Sequence, residues 1–228
     1  MLSIIIPALN EADSLPVLLG QLKMLMVDTD DYEILVCDGG STDETARITR
    51  EHGATLVSCA RSGRAFQMDA GARAASGTIL YFLHADTLPP AGFHHMISGA
   101  VINGAESGCF RLSFEQRHPL LTFYSWFTRF NTRYIRFGDQ SLFVKKQVYE
   151  ETGGFNTGLL VMEDFEFAGR LIDRSHFVLL GSSVVTSARK YRGNGIIRLQ
   201  LMFTMVWLMY LAGVSQQTLV HFYRSNIR

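Results

Sequence analysis

Three apolar runs of the sequence end at side chains that could bind a cation or a phosphorylated ligand. These side chains are, in chain order, Asn10 with Glu11, Asp38, and His84 with Asp86. In an open α/β sheet, ligands collect at the carboxyl ends of the strands. Carboxylate oxygens suit Mg²⁺ or Mn²⁺, and the phosphates of a ligand often complete the coordination shell. We therefore expect one sheet edge that holds a divalent cation and a phosphorylated ligand.

Asp86 is the strongest candidate for the metal ligand. It follows a short apolar run between Gly77 and Pro89-Pro90, which is typical of a buried strand. One carboxylate is sufficient if the ligand brings a diphosphate. The alternative is that Asp86 only caps the helix that follows it. His84 could hydrogen-bond a ribose or a phosphate.

Two further residues could contact a nucleotide. Asp38 occupies the strand end at which nucleotide-binding folds place a carboxylate for the base or ribose. Its alternative role is an Asx turn at the sequence Asp-Gly-Gly. Arg64 begins an Ala-rich helix, where a guanidinium and backbone donors could bind a phosphate. The alternative for Arg64 is an ordinary surface arginine.

Glu163 and Asp164 begin a helix late in the chain. Acidic side chains are favourable there because of the helix dipole. A carboxylate in this position could also serve as a general base in a cleft. The sequence contains no P-loop, dinucleotide-binding, zinc-protease or serine-hydrolase motif that would indicate another chemistry.

Composition predicts one globular domain in the cytoplasm. The 228 residues are 47% hydrophobic and 18% charged, which excludes disorder. The 21 basic and 21 acidic residues cancel, so no nucleic-acid partner is expected. Cys37, Cys59 and Cys109 are widely spaced and indicate buried thiols in a reducing compartment. A strand that begins at Leu2 leaves no room for a signal peptide.

Strands and helices alternate along the first 88 residues. The pattern predicts a doubly wound parallel sheet with helices on both faces. We expect Pro7 to end the first strand, and Ser41 with Glu44 to form a capping box at a helix start. Weak strand signals follow at 177–180 and 184–187.

Residues 120–134 are crowded with aromatic side chains. A helix packed on the sheet would explain them. Alternatively, the rings form a wall for a sugar or another acceptor, because aromatic faces suit such surfaces.

Residues 196–214 are almost entirely apolar, and Arg198 and Gln200 interrupt the run near its start. A membrane span needs about 20 apolar residues. Three interpretations remain open: packing in the core or in a homodimer, shallow contact with a membrane, and a true span.

The ordered motifs resemble the family 2 glycosyltransferases. They are IIIPALNE at 4–11, DGGSTD at 38–43, HAD at 84–86 and MED at 162–164. Four further segments resemble, more narrowly, a bacterial group labelled arsenosugar-biosynthesis glycosyltransferases. These are GRAFQMDAGA at 63–72, FLHADT at 82–87, GDQ at 138–140 and VTSAR at 185–189. The resemblance covers nearly the whole chain.

The resemblance implies a GT-A fold, in which a nucleotide-binding parallel sheet merges with an acceptor-binding half. We expect one domain over 1–228, with a nucleotide-sugar-binding half at 1–88, an acceptor-binding half at 89–190 and a helical tail at 191–228. The implied donor is a nucleotide sugar, with uridine as the base, and the implied cofactor is Mg²⁺ or Mn²⁺.

The resemblance also assigns roles to individual residues. The nucleotide-sugar side comprises Pro7, Ala8, Asn10, Glu11, Asp38, Arg64, Asp69, His84, Ala85 and Asp86. The acceptor side comprises Asp139, Gln140 and Glu163, with Asp164 as the catalytic base. Asp86 matches the last acid of the family's metal-binding D-x-D motif. The first acid is His84 in this chain, which leaves one carboxylate for the metal.

These assignments predict an inverting, metal-dependent transferase that acts on an acceptor hydroxyl. One alternative is a sugar nucleotidyltransferase, but that activity needs a Gly-rich triphosphate loop, which Ala8-Leu9-Asn10 does not provide. Another is a nucleotide-sugar-binding or scaffolding protein without catalysis, and the presence of both Asp86 and Asp164 argues against it.

Overall fold

The computed structural model describes residues 1–136 and 138–227. The strands are β1 (Leu2–Ala8), β2 (Tyr32–Asp38), β3 (Thr55–Ser58), β4 (Ile79–Phe82), β5 (Thr87–Leu88), β6 (Ser107–Phe114), β7 (Leu142–Lys145) and β8 (Phe177–Thr186). The helices are α1 (Leu15–Leu25), α2 (Thr45–Glu51), α3 (Arg64–Ala74), α4 (Phe93–Ile102), α5 (Pro119–Trp126), α6 (Lys146–Glu151), α7 (Glu163–Arg174), α8 (Arg189–Asn194), α9 (Ile196–Leu211) and α10 (Gln216–Asn226). Short 3₁₀ turns lie at Phe127–Arg129, Arg133–Ile135 and Gly138–Gln140.

The strands form one sheet in the order β3-β2-β1-β4-β7-β6-β8-β5. The first four strands in this order are parallel, so their carboxyl ends meet at one edge. β7 runs antiparallel to both of its neighbours, whereas β6 and β8 are parallel. The predicted α/β fold with a mostly parallel sheet is confirmed.

Helices cover both faces of the sheet. Successive residues of a strand point to opposite faces, so Ile4 and Ile6 pack on one side and Ile5 on the other. The first face is covered by α1 and α4, and the second by α3, α6 and α7. β1 is buried throughout because it is central and covered on both sides.

Two local predictions are wrong. Pro7 does not end β1, which continues to Ala8. The Leu83 amide donates to the Ile5 carbonyl, so alternate residues of β1 direct their peptide groups towards β4. Pro7 lies beyond the last pairing with β4, and its missing N–H therefore removes no ladder hydrogen bond.

The capping box is also absent, since α2 begins at Thr45 and its N-cap residue is Glu44. The Ser41 hydroxyl instead bonds the Asp38 carboxylate and accepts the Asn10 amide. The two weak strand signals near 177 and 187 belong to one continuous strand, β8.

The aromatic segment forms a helix, but its rings do not pack on the sheet. α5 buries Leu121, whereas several rings of α5 and the turns after it are exposed. The exposed rings are Phe123, Trp126, Phe127, Phe130 and Tyr134. The packing that the first interpretation required is therefore wrong for these side chains.

The C-terminal helices share a separate apolar cluster. Leu121 of α5, Tyr191 of α8, Leu199 of α9 and Ile227 meet there. Within residues 1–136 and 138–227, no helix is long and apolar enough to cross a membrane. The interpretation of 196–214 as a true span is therefore not supported.

Gly71 allows α3 to approach the sheet closely. A Cβ at this position would lie 2.4 Å from Ile5 Cγ2 and 2.6 Å from Cys37 Sγ. Both contacts are with fully buried side chains, so neither neighbour has room to move. Glycine is required here because of the helix–sheet distance.

We predict that Gly71→Ala destabilises the protein by about 1–3 kcal/mol, the usual cost of overpacking a core. Gly20→Ala is the matched control, because a Cβ at that α1 position meets nothing within 4 Å. The control should be neutral or stabilising by roughly 0.5–1 kcal/mol, because alanine has the higher helix propensity. Urea unfolding of both variants tests this, and equal stabilities would contradict it.

Candidate active site

His84 and Asp86 lie in a tight turn directly after β4. The Thr87 amide donates to the His84 carbonyl at 3.1 Å and closes the turn. The Ser187 amide, at the end of β8, donates to the Asp86 carbonyl at 2.9 Å. These bonds, and the short pairing of β5 with β8, fix the turn at the sheet edge where the parallel strands end.

The start of α7 points two carboxylates at the same region. Met162, directly before the helix, has the left-handed φ of 66°. Glu163 is buried, and the Asp164 side chain is 15% exposed. Neither acid caps the helix, since no side-chain cap bond is present at its N-terminus.

Five charged or titratable residues from four parts of the chain meet here, and we call them the charged cluster. They are Arg64, His84, Asp139, Glu163 and Asp164.

Arg64 lies between the two acids of α7. Its NH1 atom is 3.4 Å from Glu163 Oε1 and 3.8 Å from Asp164 Oδ2. His84 lies between the same Asp164 and Asp139, with Nε2 3.7 Å from Asp164 Oδ2 and Nδ1 3.3 Å from Asp139 Oδ1. Residues that are 80 positions apart in sequence therefore form one electrostatic unit.

The surroundings of Asp164 disfavour its ionisation. Burial raises its pKa to about 6, and the negative charge of Glu163 acts in the same direction. The charges of His84 and Arg64 oppose this rise without cancelling it. A carboxyl group with a pKa near 6 is poised to accept a proton at neutral pH.

Three other members of the cluster have a pKa displaced towards the charged form. Removal of water would raise the pKa of Asp139, but the hydrogen bond and the charge of His84 outweigh this and lower it to about 2. Burial and Arg64 would lower the pKa of His84, yet Asp139 and Asp164 raise it. Burial would likewise lower the pKa of Arg64, and the charges of Glu163 and Asp164 raise it.

Asp86 can hold a divalent cation only with help from a ligand. Its side chain is partly exposed and makes no hydrogen bond or ion pair with the part of the chain that the structure describes. Among those same residues, no group of three His, Cys, Asp or Glu side chains could hold a metal. One free carboxylate suits a cation whose remaining ligands come from a diphosphate and water.

The loops after β1 and β2 are bound to each other. The Asn10 carboxamide oxygen accepts the Thr42 amide at 2.8 Å, and Asn10 has a positive φ of 55°. Asp38 Oδ1 accepts the Ser41 amide at 3.0 Å, three residues on, instead of the Gly40 amide that the predicted Asx turn requires. Glu11 forms an ion pair with Arg189 at 3.1 Å. Asn10, Glu11 and Asp38, the side chains predicted to bind the nucleotide, thus stabilise the loops at this edge of the sheet.

Sequence reasoning missed Gln67, which joins the ends of β1 and β2. Its buried amide donates to the Ala8 carbonyl at 2.6 Å and to the Cys37 carbonyl at 2.8 Å. The ends of β1 and β2 are therefore both attached to α3. No signal in the sequence indicates this role, because its partners are backbone carbonyls.

Asp69 is not brought to the charged cluster. Its Oδ1 atom accepts the Tyr149 hydroxyl at 3.0 Å, and Oδ2 pairs with Arg73 at 2.9 Å. It lines a polar cavity of about 430 Å³ between α3, α7 and the loop at 153–157. Asp69 therefore bonds Tyr149 and Arg73 and none of the residues of the charged cluster, and its nucleotide role stays a prediction. Ala85, in contrast, is buried beside His84 and Asp86.

Gln140 is buried and bonds Arg136, a residue that sequence reasoning did not single out. Arg136 NH1 donates to Gln140 Oε1 at 2.8 Å and to the Thr128 carbonyl at 3.1 Å. Arg136 also donates to the Phe130 carbonyl. This network attaches the exposed aromatic segment to the residue beside Asp139. A buried arginine that serves backbone carbonyls leaves no motif in sequence.

The loop that leads into α7 is held by the C-terminal tail. Gln216 Oε1 accepts the backbone amides of Leu160 at 3.0 Å and Val161 at 3.3 Å. The rings of Phe165 and Tyr210 meet at 5.8 Å. Helices α9 and α10 therefore support the position of Asp164.

The parallel strand ends, the free Asp86 carboxylate and the charged cluster thus lie on one side of an α/β sheet. Residues 3–150 match the profile of Glycosyl transferase family 2. The chain belongs to this family, which confirms the resemblance. The narrower resemblance to the arsenosugar-biosynthesis group stays a prediction.

Two relatives are similar in sequence. An uncharacterised glycosyltransferase of Mycobacterium tuberculosis is 36% identical over 90 residues, which cover 40% of this chain and 38% of that protein. The glycosyltransferase AglE of Haloferax volcanii is 25% identical over 198 residues, or 80% of this chain and 65% of AglE. The matches thus span less than two thirds of these relatives.

Two solved structures share the fold. The mannosyltransferase PcManGT of Pyrobaculum calidifontis, in complex with GDP-Man and Mn²⁺, has a TM-score of 0.69 at 19% identity. The match covers 97% of this chain and 69% of that one. TarS of S. aureus, in complex with UDP-GlcNAc, has a TM-score of 0.68 at 15% identity, covering 82% and 58%.

Proposed function

We propose that this protein is an inverting glycosyltransferase, which moves a sugar from a nucleotide sugar to an acceptor hydroxyl with Asp164 as the general base. The observation that carries the proposal is the environment of Asp164. Its carboxyl group has a pKa raised to about 6 and lies 3.7 Å from His84, at the strand end that also bears Asp86. Membership of family 2 supports the same reaction class.

The donor side of the site is the edge formed by β1, β2 and β4. A UDP-sugar is the donor that we favour, and the complex of TarS with UDP-GlcNAc supports a donor of this class. The complex of PcManGT with GDP-Man keeps a guanosine donor as the second candidate. Arg64, 44% exposed, retains a face of its guanidinium for the diphosphate.

A divalent cation fits beside Asp86, because that carboxylate is unpaired among the described residues and the donor would bring the remaining oxygens. Mn²⁺ is present in the complex of PcManGT. When bound, the cation neutralises charge on the departing diphosphate. His84 would not join it as a ligand, because both of its ring nitrogens face carboxylates.

The transfer is a single displacement. Asp164 accepts the proton of the acceptor hydroxyl as its oxygen bonds to the anomeric carbon. The bond from that carbon to the diphosphate oxygen breaks, and the nucleoside diphosphate leaves with the electron pair. Attack and departure on opposite faces of the sugar invert the anomeric configuration.

The acceptor would approach from the side of Asp139 and the exposed aromatic segment. Asp139 is 51% exposed and orients His84, while Arg136 and Gln140 hold the aromatic segment beside it. Rings such as Trp126 and Tyr134 offer apolar faces to a sugar or another acceptor. Glu163 is buried against Arg64. It would affect the acceptor indirectly, because its charge raises the pKa of Asp164.

A catalytically inactive nucleotide-sugar-binding protein remains the second candidate, because His84 stands where the D-x-D motif has its first acid. Turnover with any acceptor would exclude it. We propose the cytoplasm as the site of the reaction, because Cys37, Cys59 and Cys109 are unpaired.

We predict that a UDP-sugar with Mn²⁺ raises the melting temperature. A donor at 100 times its Kd stabilises the folded state by about 2.7 kcal/mol, which is roughly 5–11 °C for a chain of this size. Asp86→Ala should abolish the part of the shift that requires Mn²⁺. Glu150→Ala, which removes an exposed carboxylate from α6, should leave it intact. An undiminished shift in Asp86→Ala would remove Asp86 from the metal site.

We predict that Asp164→Asn lowers sugar transfer by roughly 10²–10⁴, the usual contribution of a general base. Donor binding should barely change. Glu163→Gln is the control and should keep most of its activity at pH 8, because the amide can still accept a bond from Arg64.

The stability of Asp164→Asn shows whether a loss of sugar transfer comes from a lost base or from a destabilised fold. A raised carboxyl pKa favours folding below the unfolded pKa of about 3.9, and this contribution is lost as the pH rises through 6. At pH 8, Asp164→Asn should therefore be no less stable than the wild type. Equal transfer rates for Asp164→Asn and the wild type at saturating donor would reject Asp164 as the base.

A further inference from the structure

Helix α9 presents an apolar stripe to solvent. The stripe consists of Ile197, Leu201, Met205, Leu208 and Leu211, which are between 46% and 68% exposed. Spacings of three and four residues place these side chains on one face of the helix. Leu199 and Val206 of the same helix are buried, and Leu199 belongs to the C-terminal cluster. A continuous exposed apolar face of this kind marks an interaction surface.

The basic residues are concentrated at the C-terminal end of the chain, which favours an anionic partner for this surface. Residues 174–228 contain seven Lys or Arg and no Asp or Glu, whereas residues 1–173 have a net charge of −7. The overall net charge of zero therefore conceals a basic C-terminal segment. This segment contains the whole of α9.

Several of these cations are free to meet an anion. Arg192, Arg198 and Arg224 are exposed and form no ion pair with residues 1–136 or 138–227. Arg198 donates to the Asn226 carbonyl at 3.3 Å, which brings the end of α10 beside the start of α9. The free cations therefore gather at one end of the stripe.

We propose that the α9 stripe and these arginines dock the protein on an anionic phospholipid bilayer. An apolar helix face flanked by basic residues lies in the plane of the interface and gains from both burial and attraction to anionic lipids. α9 has 16 residues, so it extends about 24 Å and lies flat on the surface. A second copy of the chain is disfavoured, because docking α9 on α9 would bring two basic surfaces together.

The docked face adjoins the proposed active site. Leu160, 54% exposed, belongs to the loop that Gln216 holds in front of α7. The ring contact between Phe165 and Tyr210 joins α7 to the last turn of α9. A bilayer against α9 would therefore lie beside the segment that positions Asp164. The docking stands independently of the reaction, since it rests on α9 and its charges.

Sedimentation of the full-length protein with vesicles tests the proposal. We expect binding to vesicles of phosphatidylcholine with phosphatidylglycerol, weaker binding to phosphatidylcholine alone, and weakening by added salt. Leu201→Glu with Leu208→Glu should reduce the affinity by roughly tenfold or more per leucine. Val17→Glu with Met24→Glu is the matched control, because it changes two exposed apolar residues of α1 with the same spacing.

Substitution of Arg192, Arg198 and Arg224 by Gln should reduce binding to the anionic vesicles about fivefold per residue and leave binding to phosphatidylcholine unchanged. Circular dichroism melting of each variant verifies folding. Three results would each overturn the proposal: no binding to anionic vesicles, equal loss in the α1 control, or a solution dimer that Leu201→Glu dissociates.

Discussion

The site depends on the burial of two adjacent carboxylates against one arginine. Glu163 and Asp164 share the Arg64 guanidinium, which can compensate only part of their charge. Asp164 therefore has the raised pKa, while the same charges raise the pKa of His84 and lower that of Asp139. Ionisation of a buried acid that is not fully paired destabilises the folded protein. The same energetic cost raises the pKa of the acid and makes its carboxylate a stronger base.

The rest of the fold brings this cluster to the sheet edge. β4 is short and central, and the turn after it places His84 and Asp86 on the same side as the ends of β1 and β2. α3 supplies Arg64 at its first residue and approaches the sheet closely at Gly71. The tail reaches back through Gln216 to the loop before α7. Chemistry, core packing and the C-terminal helices are thus parts of one arrangement.

Sequence reasoning predicted the elements with strong local signals. The apolar runs of β1, β2 and β4 and the periodicity of α1 specify burial directly. The motifs around Asp86 and Asp164 located the end of β4 and the start of α7. The structure brings these two ends together through His84. The carbonyl clamps of Gln67 and Arg136 escaped prediction, because bonds to backbone groups depend on tertiary position and leave no pattern of residue types. Sequence reasoning left two interpretations of the aromatic segment open, because apolar character alone does not say whether a ring is buried or faces a ligand.

The pH dependence of sugar transfer, measured as kcat/KM in wild type and in Glu163→Gln, tests most directly whether this cluster provides the base. The account predicts that wild-type activity rises with pH through about 6, as Asp164 loses its proton. Loss of the Glu163 charge should move this rise to lower pH, because that charge raises the pKa of Asp164. An acid limb that stays in place or moves to higher pH in Glu163→Gln would contradict the account.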